Sequence, residues 1–198
     1  DRKATRRLKL NIGLRYDLYA IPKADAASPF SGSRKFKVDK NNFAPRFGAA
    51  YGLREGSNPT VFRAGAGIYY DQPLLAMYQR ALVNNGNPKF FTFRTVTGPT
   101  SPAFPNNFGS LPALPRQNID TISSDFATMY AIHSHAQIEQ TITNDMSVTI
   151  GFIRSAGRHI PIYRNINPIN PSTFLADGRP VFSTAVNAAT RLDPRFNN

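Results

Sequence analysis

Two histidines one residue apart, His133 and His135, have the side chains and spacing best suited to metal chemistry in this sequence. In a strand, residues i and i+2 share a face, so both imidazoles would point the same way, followed on that face by Glu139. A catalytic metal site needs three ligands held by a rigid set of supporting groups. The alternative is that these are polar side chains on a water-filled surface. We favour that interpretation and expect neither a metal nor a cofactor.

Charged residues form the second group with possible chemistry. Apolar and polar residues alternate along the predicted strands. This alternation places six charged residues on the same inner, polar face of the sheet: Arg15, Arg46, Arg63, Asp17, Asp71 and Glu139. Such charges suit either the path of a charged solute or ion pairs in a hydrated interior, and ion pairs are the interpretation that we prefer.

The sequence motifs of known catalytic sites are missing. There is no Gly-x-Ser-x-Gly elbow, no phosphate-binding loop and no His-Glu-x-x-His helix, and Gly65-x-Gly67 has no helix after it. We expect these two glycines to form a flat wall where another backbone approaches closely. The chain has no cysteines, which argues against a disulfide-rich secreted module or a zinc module. We therefore expect that the protein is not an enzyme.

The net charge of +12 raises the question of nucleic-acid binding. Phosphate-binding proteins usually concentrate their basic residues on a helix or along one face. Here Arg and Lys are spread along the chain, with modest groups only at residues 2–7 and 34–37. Solvated loops, or loops facing anionic lipopolysaccharide, explain the charge equally well, so we expect no nucleic-acid partner.

Five segments alternate between apolar and polar residues with a period of two, which predicts β-strands. The strands are expected near residues 6–20, 43–53, 60–71, 128–140 and 146–155. Each is about as long as the roughly 9–11 residues that a tilted strand needs to cross a bilayer, whereas no apolar run approaches the roughly 20 residues of a transmembrane helix. One continuous outer face is predicted to carry Leu10, Ile12, Leu14, Ala66, Ile68, Val148 and Ile150.

The links between these strands alternate between short and long. Long loops are expected at residues 21–41, 72–123 and 156–198, and short turns near 54–59 and 143–145. Tight periplasmic turns and long extracellular loops are typical of outer-membrane barrels. Aromatic residues could form a girdle at the membrane interface, or could occur here simply because aromatics favour strands. Eight of them are expected toward the long-loop ends of the strands: Tyr16, Tyr19, Phe43, Phe47, Tyr69, Tyr70, Tyr130 and Phe152.

The order of several motifs resembles a known family. NNFAPRFGAAYG followed by VFRAGAGIYYDQP resembles a hairpin of TonB-dependent outer-membrane receptors, in the branch with a carboxypeptidase-regulatory-like N-terminal domain. LKLNIGLRYDLY resembles the preceding strand, and SVTIGFIRSAGRHIPIYRNIN a later strand with its loop. DGRPVF and RLDPRF resemble the loop that follows. The resemblance runs in order from about residue 8 to 196.

The resemblance implies active uptake of a nutrient such as a siderophore, carbohydrate or peptide across the outer membrane of a Gram-negative bacterium. It implies a plugged barrel of about 22 strands, the plug domain and the TonB energy-coupling system as partners, and contact with outer-membrane lipid and lipopolysaccharide. Because the chain begins at Asp1 and shows neither a signal peptide nor a plug, we expect residues 1–198 to be one part of the barrel domain, unable to transport anything alone. The substrate is unknown, and the loop at 72–123 is expected to contact it.

The predicted fold is all-β: an antiparallel meander of about five long strands, an incomplete segment of a large transmembrane β-barrel. The alternative is a soluble secreted β-sandwich or an adhesin-like carbohydrate-binding module. The two differ in one observable feature, because a sandwich buries its apolar strand faces between two sheets whereas a membrane barrel exposes them.

Overall fold

The computed structural model describes residues 2–3, 5–107, 113–185 and 187–197. Residues 108–112 of the predicted 72–123 loop, and residues 186 and 198 of the predicted 156–198 loop, lie outside the described residues. The chain forms two compact units. The sheet unit comprises Asp1–Ala20, Val38–Pro73 and Asp125–Ile162, and the loop unit comprises Ile21–Lys37, Leu74–Ser124 and Tyr163–Asn198.

The sheet unit is a single antiparallel meander in which each strand pairs with the next along the chain. Its strands are β1 (Arg2–Lys3), β2 (Leu8–Tyr16), β3 (Phe43–Arg54), β4 (Thr60–Tyr70), β5 (Tyr130–Thr143) and β6 (Met146–Arg158). The sheet is open, because β1 and β6 do not pair with each other. The predicted fold class, a meander of about five long strands from an incomplete barrel, is therefore confirmed, although the sequence did not predict the two-residue strand β1.

One side of the sheet, called the apolar face below, is covered almost entirely by hydrophobic residues. Directly paired residues of an antiparallel sheet share a face, so the register defines this side. One row runs from Ile12 through Phe47 and Ala66, and the seven residues predicted for an outer face all lie on this side. Ile12 is 74% exposed and Ile150 is 75% exposed. This outward-facing apolar surface rules out the sandwich alternative for the sheet.

Aromatic residues collect where the strands join the long links. Tyr16 pairs with Phe43 and Tyr70 pairs with Tyr130, with ring centroids 4.9 and 5.2 Å apart. These four residues lie at the predicted end of their strands. Tyr69, next to the last residue of β4, also lies at this end, on the opposite face of the sheet as the alternation predicted. The prediction for Phe152 was wrong, because it lies in the middle of β6, opposite Ala136.

The loop unit contains the only α-helix among the described residues, α1 (Leu75–Val83), two short 3-10 turns, and a two-stranded hairpin of β7 (Thr173–Phe174) and β8 (Pro180–Val181). The helix lies inside the loop predicted at 72–123 and was not anticipated. Its buried residues Met77, Tyr78 and Ala81 are spaced by one turn, so one stripe faces the core of the unit. No helix in the described ranges is long and apolar enough to span a membrane.

A charge placed on the apolar face should impair insertion into a bilayer. We expect Ile12→Arg to cost up to about 2–4 kcal/mol, the penalty for Arg on the lipid-facing side of a membrane strand near the midplane. The measurement is the urea dependence of folding of the full-length protein into phosphatidylcholine vesicles. Asn11→Arg, one residue away on the opposite face, is the matched control and should fold like the parent protein. Equal effects of the two substitutions would contradict this assignment of faces.

Candidate functional site

The face opposite the apolar one, called the polar face below, carries a stack of three side chains from three strands. The guanidinium carbon of Arg46 lies 4.4 Å from the centroid of the Tyr69 ring, and that ring meets His133 edge-on at 5.1 Å. The Tyr69 ring lies across Gly67, where a Cβ atom would come within 3.0 Å of Tyr69 Cε2. The missing side chain at position 67 therefore makes room for the stack.

The second glycine of the pair, Gly65, is covered in the same way. A Cβ atom there would lie 2.6 Å from the imidazole carbon Cε1 of His135 and 3.1 Å from the Phe47 carbonyl oxygen. The sequence led us to expect a flat wall approached by another backbone. The Phe47 backbone does approach Gly65 closely, but the rings of His135 and Tyr69 also fill the space that the two glycines leave, which the sequence did not predict.

Most of the predicted charges on this face form ion pairs. Arg63 lies 3.3 Å from Glu139, and Arg15 lies 2.7 Å from Asp17. Asp17 and Asp71 each lie one residue beyond the end of a strand. His133, His135 and Glu139 do share the face, as predicted, but Glu139 is engaged by arginine. Within the part of the chain that the structure describes, no three His, Asp or Glu residues are placed to hold a metal ion.

The loop unit has its own small hydrophobic core. Phe36 and Tyr78 meet edge-on at 5.6 Å, and Ala81 is buried beside them. Four half-buried residues pack around this core: Ile21, Ala24, Leu82 and Ile122. Since Phe36 precedes β3 and Tyr78 follows β4, the core joins two links that are distant in sequence. These links are therefore parts of one packed structure.

Asp25 is the centre of a polar network that joins the same two links. Its carboxylate accepts hydrogen bonds from the side-chain amides of Asn85 and Asn87 at 3.0 and 2.9 Å, and from the backbone N–H of Ala27 at 2.9 Å. The hydroxyl of Ser28 donates to the Asn85 carbonyl oxygen at 2.7 Å. The hydrogen bond from Asn87, followed by that from Ala27, lowers the pKa of Asp25 below its usual value.

Asn167, which is buried, makes the central hydrogen bonds in the third segment of the loop unit, the one that begins at Tyr163. Its side-chain nitrogen donates to the carbonyl oxygens of Asp193 and Phe196 at 3.0 and 3.1 Å, and its side-chain oxygen accepts from the Asp193 N–H at 2.7 Å. This amide holds residues 193–196 in place, and the next residue, Asn197, donates its backbone N–H to the Gln117 carbonyl oxygen at 3.1 Å.

Gly86 lies where all three segments of the loop unit meet. Its φ of +80° lies in the left-handed region that favours glycine. A Cβ atom there would be 3.1 Å from Ile119, 3.1 Å from Pro29 and 3.2 Å from Phe196. Both the backbone conformation and the lack of space therefore require glycine at this position.

A cleft of about 530 Å³ opens beside this junction in the loop unit. Phe91 and Phe93 present exposed rings to it, and Phe93 is 64% exposed. The side-chain amide of Gln117 fixes the Phe93 backbone, accepting from its N–H at 2.7 Å and donating to its carbonyl oxygen at 3.2 Å. The full lining is Asn84, Gly86, Phe91, Phe93, Thr95, Pro115, Arg116, Gln117, Asn118 and Asn197.

This cleft combines exposed aromatic rings with amide and guanidinium groups, a mixture that can pack against the apolar side of a ligand and hydrogen-bond its polar groups. All of its residues except Asn197 belong to the 72–123 region. The sequence predicted that region for ligand contact but named no residue in it. The run Phe90-Phe91-Thr92-Phe93, apolar yet outside any predicted strand, was the available signal.

Comparison with protein families gives a match over almost the whole chain. A family model described as an outer membrane beta barrel domain matches residues 1–197. The chain belongs to this family. It is therefore an outer-membrane β-barrel protein, and the resemblance seen in the sequence is confirmed at that level, together with the predicted location. Searches of curated proteins and of solved structures gave no match.

A side chain at Gly86 should loosen the loop unit of this outer-membrane β-barrel. We expect Gly86→Ala to cost about 1–2 kcal/mol for the left-handed backbone, plus the cost of displacing three packed neighbours. Hydrogen exchange of the full-length protein should show faster exchange in all three segments. Gly178→Ala is the matched control, since Gly178 has a φ of +84° but open space around it. Faster exchange confined to the mutated turn in both variants would contradict the three-way junction.

Acid should open the same unit through Asp25. Because its folded pKa is lowered, its contribution to stability is present above its unfolded pKa and is lost as the pH falls through the folded pKa. We expect protection of residues 21–37 and 84–89 against hydrogen exchange to fall over that acidic range. Asp25→Asn removes the titrating group, so the variant should be less protected at neutral pH and should lack this step. An identical step in both proteins would show that another group is responsible.

Proposed function

We propose that this chain is part of the barrel of a TonB-dependent receptor that imports a nutrient across the outer membrane. The observation that carries the proposal is the loop unit, in which three long links pack into one structure with a cleft of about 530 Å³. A passive pore has no need for a pre-formed ligand cleft in its loops, whereas a receptor that captures a scarce solute does. The ordered motifs of the sequence support the same conclusion.

The polar face is suited to contact a plug inside the barrel. Arg46 has a buried Nε atom with no hydrogen-bond partner among the described residues, although its guanidinium stacks on Tyr69. That atom is out of reach of a partner in the lumen. In this proposal the plug meets the partly exposed remainder of the Arg46 side chain and the ion pair between Arg63 and Glu139 on the same wall.

The cleft is the proposed place of substrate capture. The exposed rings of Phe91 and Phe93 would pack against the substrate, and the polar groups of Arg116 and Asn118 would select its hydrogen-bonding pattern. A siderophore, a carbohydrate and a peptide each offer both kinds of surface. The proposed partners are thus the substrate, the plug, the TonB system and the lipid that surrounds the apolar face. We propose neither a catalytic reaction nor a nucleic-acid partner.

The proposal is tested by energy-dependent uptake in the native bacterium. A strain without the gene should fail to grow on at least one compound in a panel of iron chelates, oligosaccharides and peptides as limiting nutrients. The complemented strain should regain growth, and depletion of TonB should abolish it again. Growth that persists after TonB depletion would show a passive pore and overturn the proposal.

The cleft itself is tested with the panel compound that passes this screen. We expect the double substitution Phe91→Ala and Phe93→Ala to raise the concentration needed for half-maximal uptake about thirtyfold, since two anchoring aromatics at about 1 kcal/mol each contribute about 2 kcal/mol. Phe104→Ala is the matched control, because Phe104 is 97% exposed and does not line the cleft. Unchanged uptake in the double variant would show that the substrate is captured elsewhere in the receptor.

A further inference from the structure

Residues 91–97, called the cleft segment below, are extended but belong to no helix or strand. Exposure alternates along them: positions 91, 93, 95 and 97 are exposed, and positions 92, 94 and 96 are half-buried. This period of two is typical of extended backbone, and Thr97 has strand-like angles, φ −135° and ψ 160°. Three residues of the exposed side, Phe91, Phe93 and Thr95, line the cleft.

One edge of the cleft segment is already engaged. In extended backbone the N–H and C=O of one residue point to the same edge, and those of the next residue point to the other edge. The side-chain amide of Gln117 bonds both groups of Phe93, at 2.7 and 3.2 Å, as a neighbouring strand would. The edge shared by positions 91, 93 and 95 is therefore the one beside Gln117.

The opposite edge of the cleft segment is open. Its main-chain groups belong to Thr92, Arg94 and Val96, and none of these three residues makes a hydrogen bond within the described part of the chain. A row of unpaired N–H and C=O groups along an extended edge is a template for pairing with another chain. A strand added there would place alternate side chains on the same side as Phe91 and Phe93.

The charges at the cleft are of one sign. Arg94 is the only charged residue of the cleft segment, and Arg116 is the only one among the described lining residues, so neither set contains an acidic group. The alternation places Arg94 on the side of the segment opposite Phe91 and Phe93. A ligand strand with apolar side chains on one side and acidic side chains on the other therefore matches both sides.

We propose that the cleft captures acidic peptides in extended form, as a strand added to the open edge at Thr92, Arg94 and Val96, with every second, apolar side chain packed against Phe91 and Phe93. Main-chain hydrogen bonds supply affinity in this mode of recognition, and the contacts of alternate side chains supply specificity. This inference rests on the proposed function, because it assigns the captured nutrient to one class, peptides.

The first test measures binding of a synthetic probe to the purified full-length protein in detergent. The probe is a fluorescein-labelled octapeptide of alternating Leu and Glu, compared with one peptide N-methylated at every Leu and another N-methylated at every Glu. Strand pairing uses the amides of only one residue type. One modified peptide should therefore keep the Kd of the probe, and the other should bind at least about tenfold more weakly. Equal affinities of the two modified peptides, or no binding of the probe, would overturn the proposal.

The second test locates the bound probe by residue-level hydrogen exchange of the same protein. The probe should slow exchange at the amides of Thr92, Arg94 and Val96, and should leave Phe91 and Thr95 unchanged because their amides point to the other edge. Protection of the first three amides before the probe is added would show that the protein's own chain occupies this edge, and would overturn the proposal.

Two arginine variants test the acidic side of the ligand. Arg94→Glu should weaken binding of the Leu–Glu probe about fivefold, because like charges opposite each other in paired strands repel. It should also strengthen binding of a Leu–Lys octapeptide. Arg164→Glu is the matched control, since Arg164 is an exposed residue of the loop unit outside the described cleft lining, and should bind as the parent does. Equal effects of the two variants would overturn the predicted preference for acidic peptides.

Probe binding in detergent needs neither TonB nor transport, so the outcomes for this inference and for the uptake function are separable. A receptor that imports only an oligosaccharide or an iron chelate, and does not bind the probe, would overturn peptide capture and leave the uptake function standing. Probe binding by a protein whose supported growth is independent of TonB would overturn active uptake and leave the peptide site standing.

Discussion

The hydrogen-bonded register between neighbouring strands is the constraint on which every other feature of the sheet depends. A slip of one residue would move each side chain of a strand to the other face. The present register places Ile12, Phe47 and Ala66 in one row and brings Arg46, Tyr69 and His133 together on the opposite side. One set of backbone contacts therefore creates both the apolar face and the polar face opposite it.

Much of the sheet could be predicted from the sequence because side-chain alternation in a strand is a local property. The seven residues expected on one face all lie there, and the short links fall where turn residues occur. Helix α1 was missed although its signals are present: Pro73 before it, apolar residues spaced by one turn, and Asn84-Asn85-Gly86 after it. We expected a loop at residues 72–123 because the segment lies between two strands, and so that local pattern was not taken to predict a helix.

The loop unit could not be predicted because its contacts are made between residues far apart in sequence. Asp25 gives no sign in the sequence that it will accept hydrogen bonds from Asn85 and Asn87. Likewise, nothing near Asn167 indicates that its amide will bind the carbonyl oxygen of Phe196. The cleft depends on these contacts. The sequence therefore predicts ligand contact for the region at 72–123 but does not indicate which of its residues are involved.

The three-way junction at Gly86 has a consequence for the diversification of the protein. A link that folded independently would be free to change, or to move into another barrel, as a self-contained module. Here Pro29, Ile119 and Phe196 each come from a different link and share one small space. A change in one link at this junction therefore has to be matched by changes in the other two, so a single link cannot be exchanged without disturbing the packing of the rest.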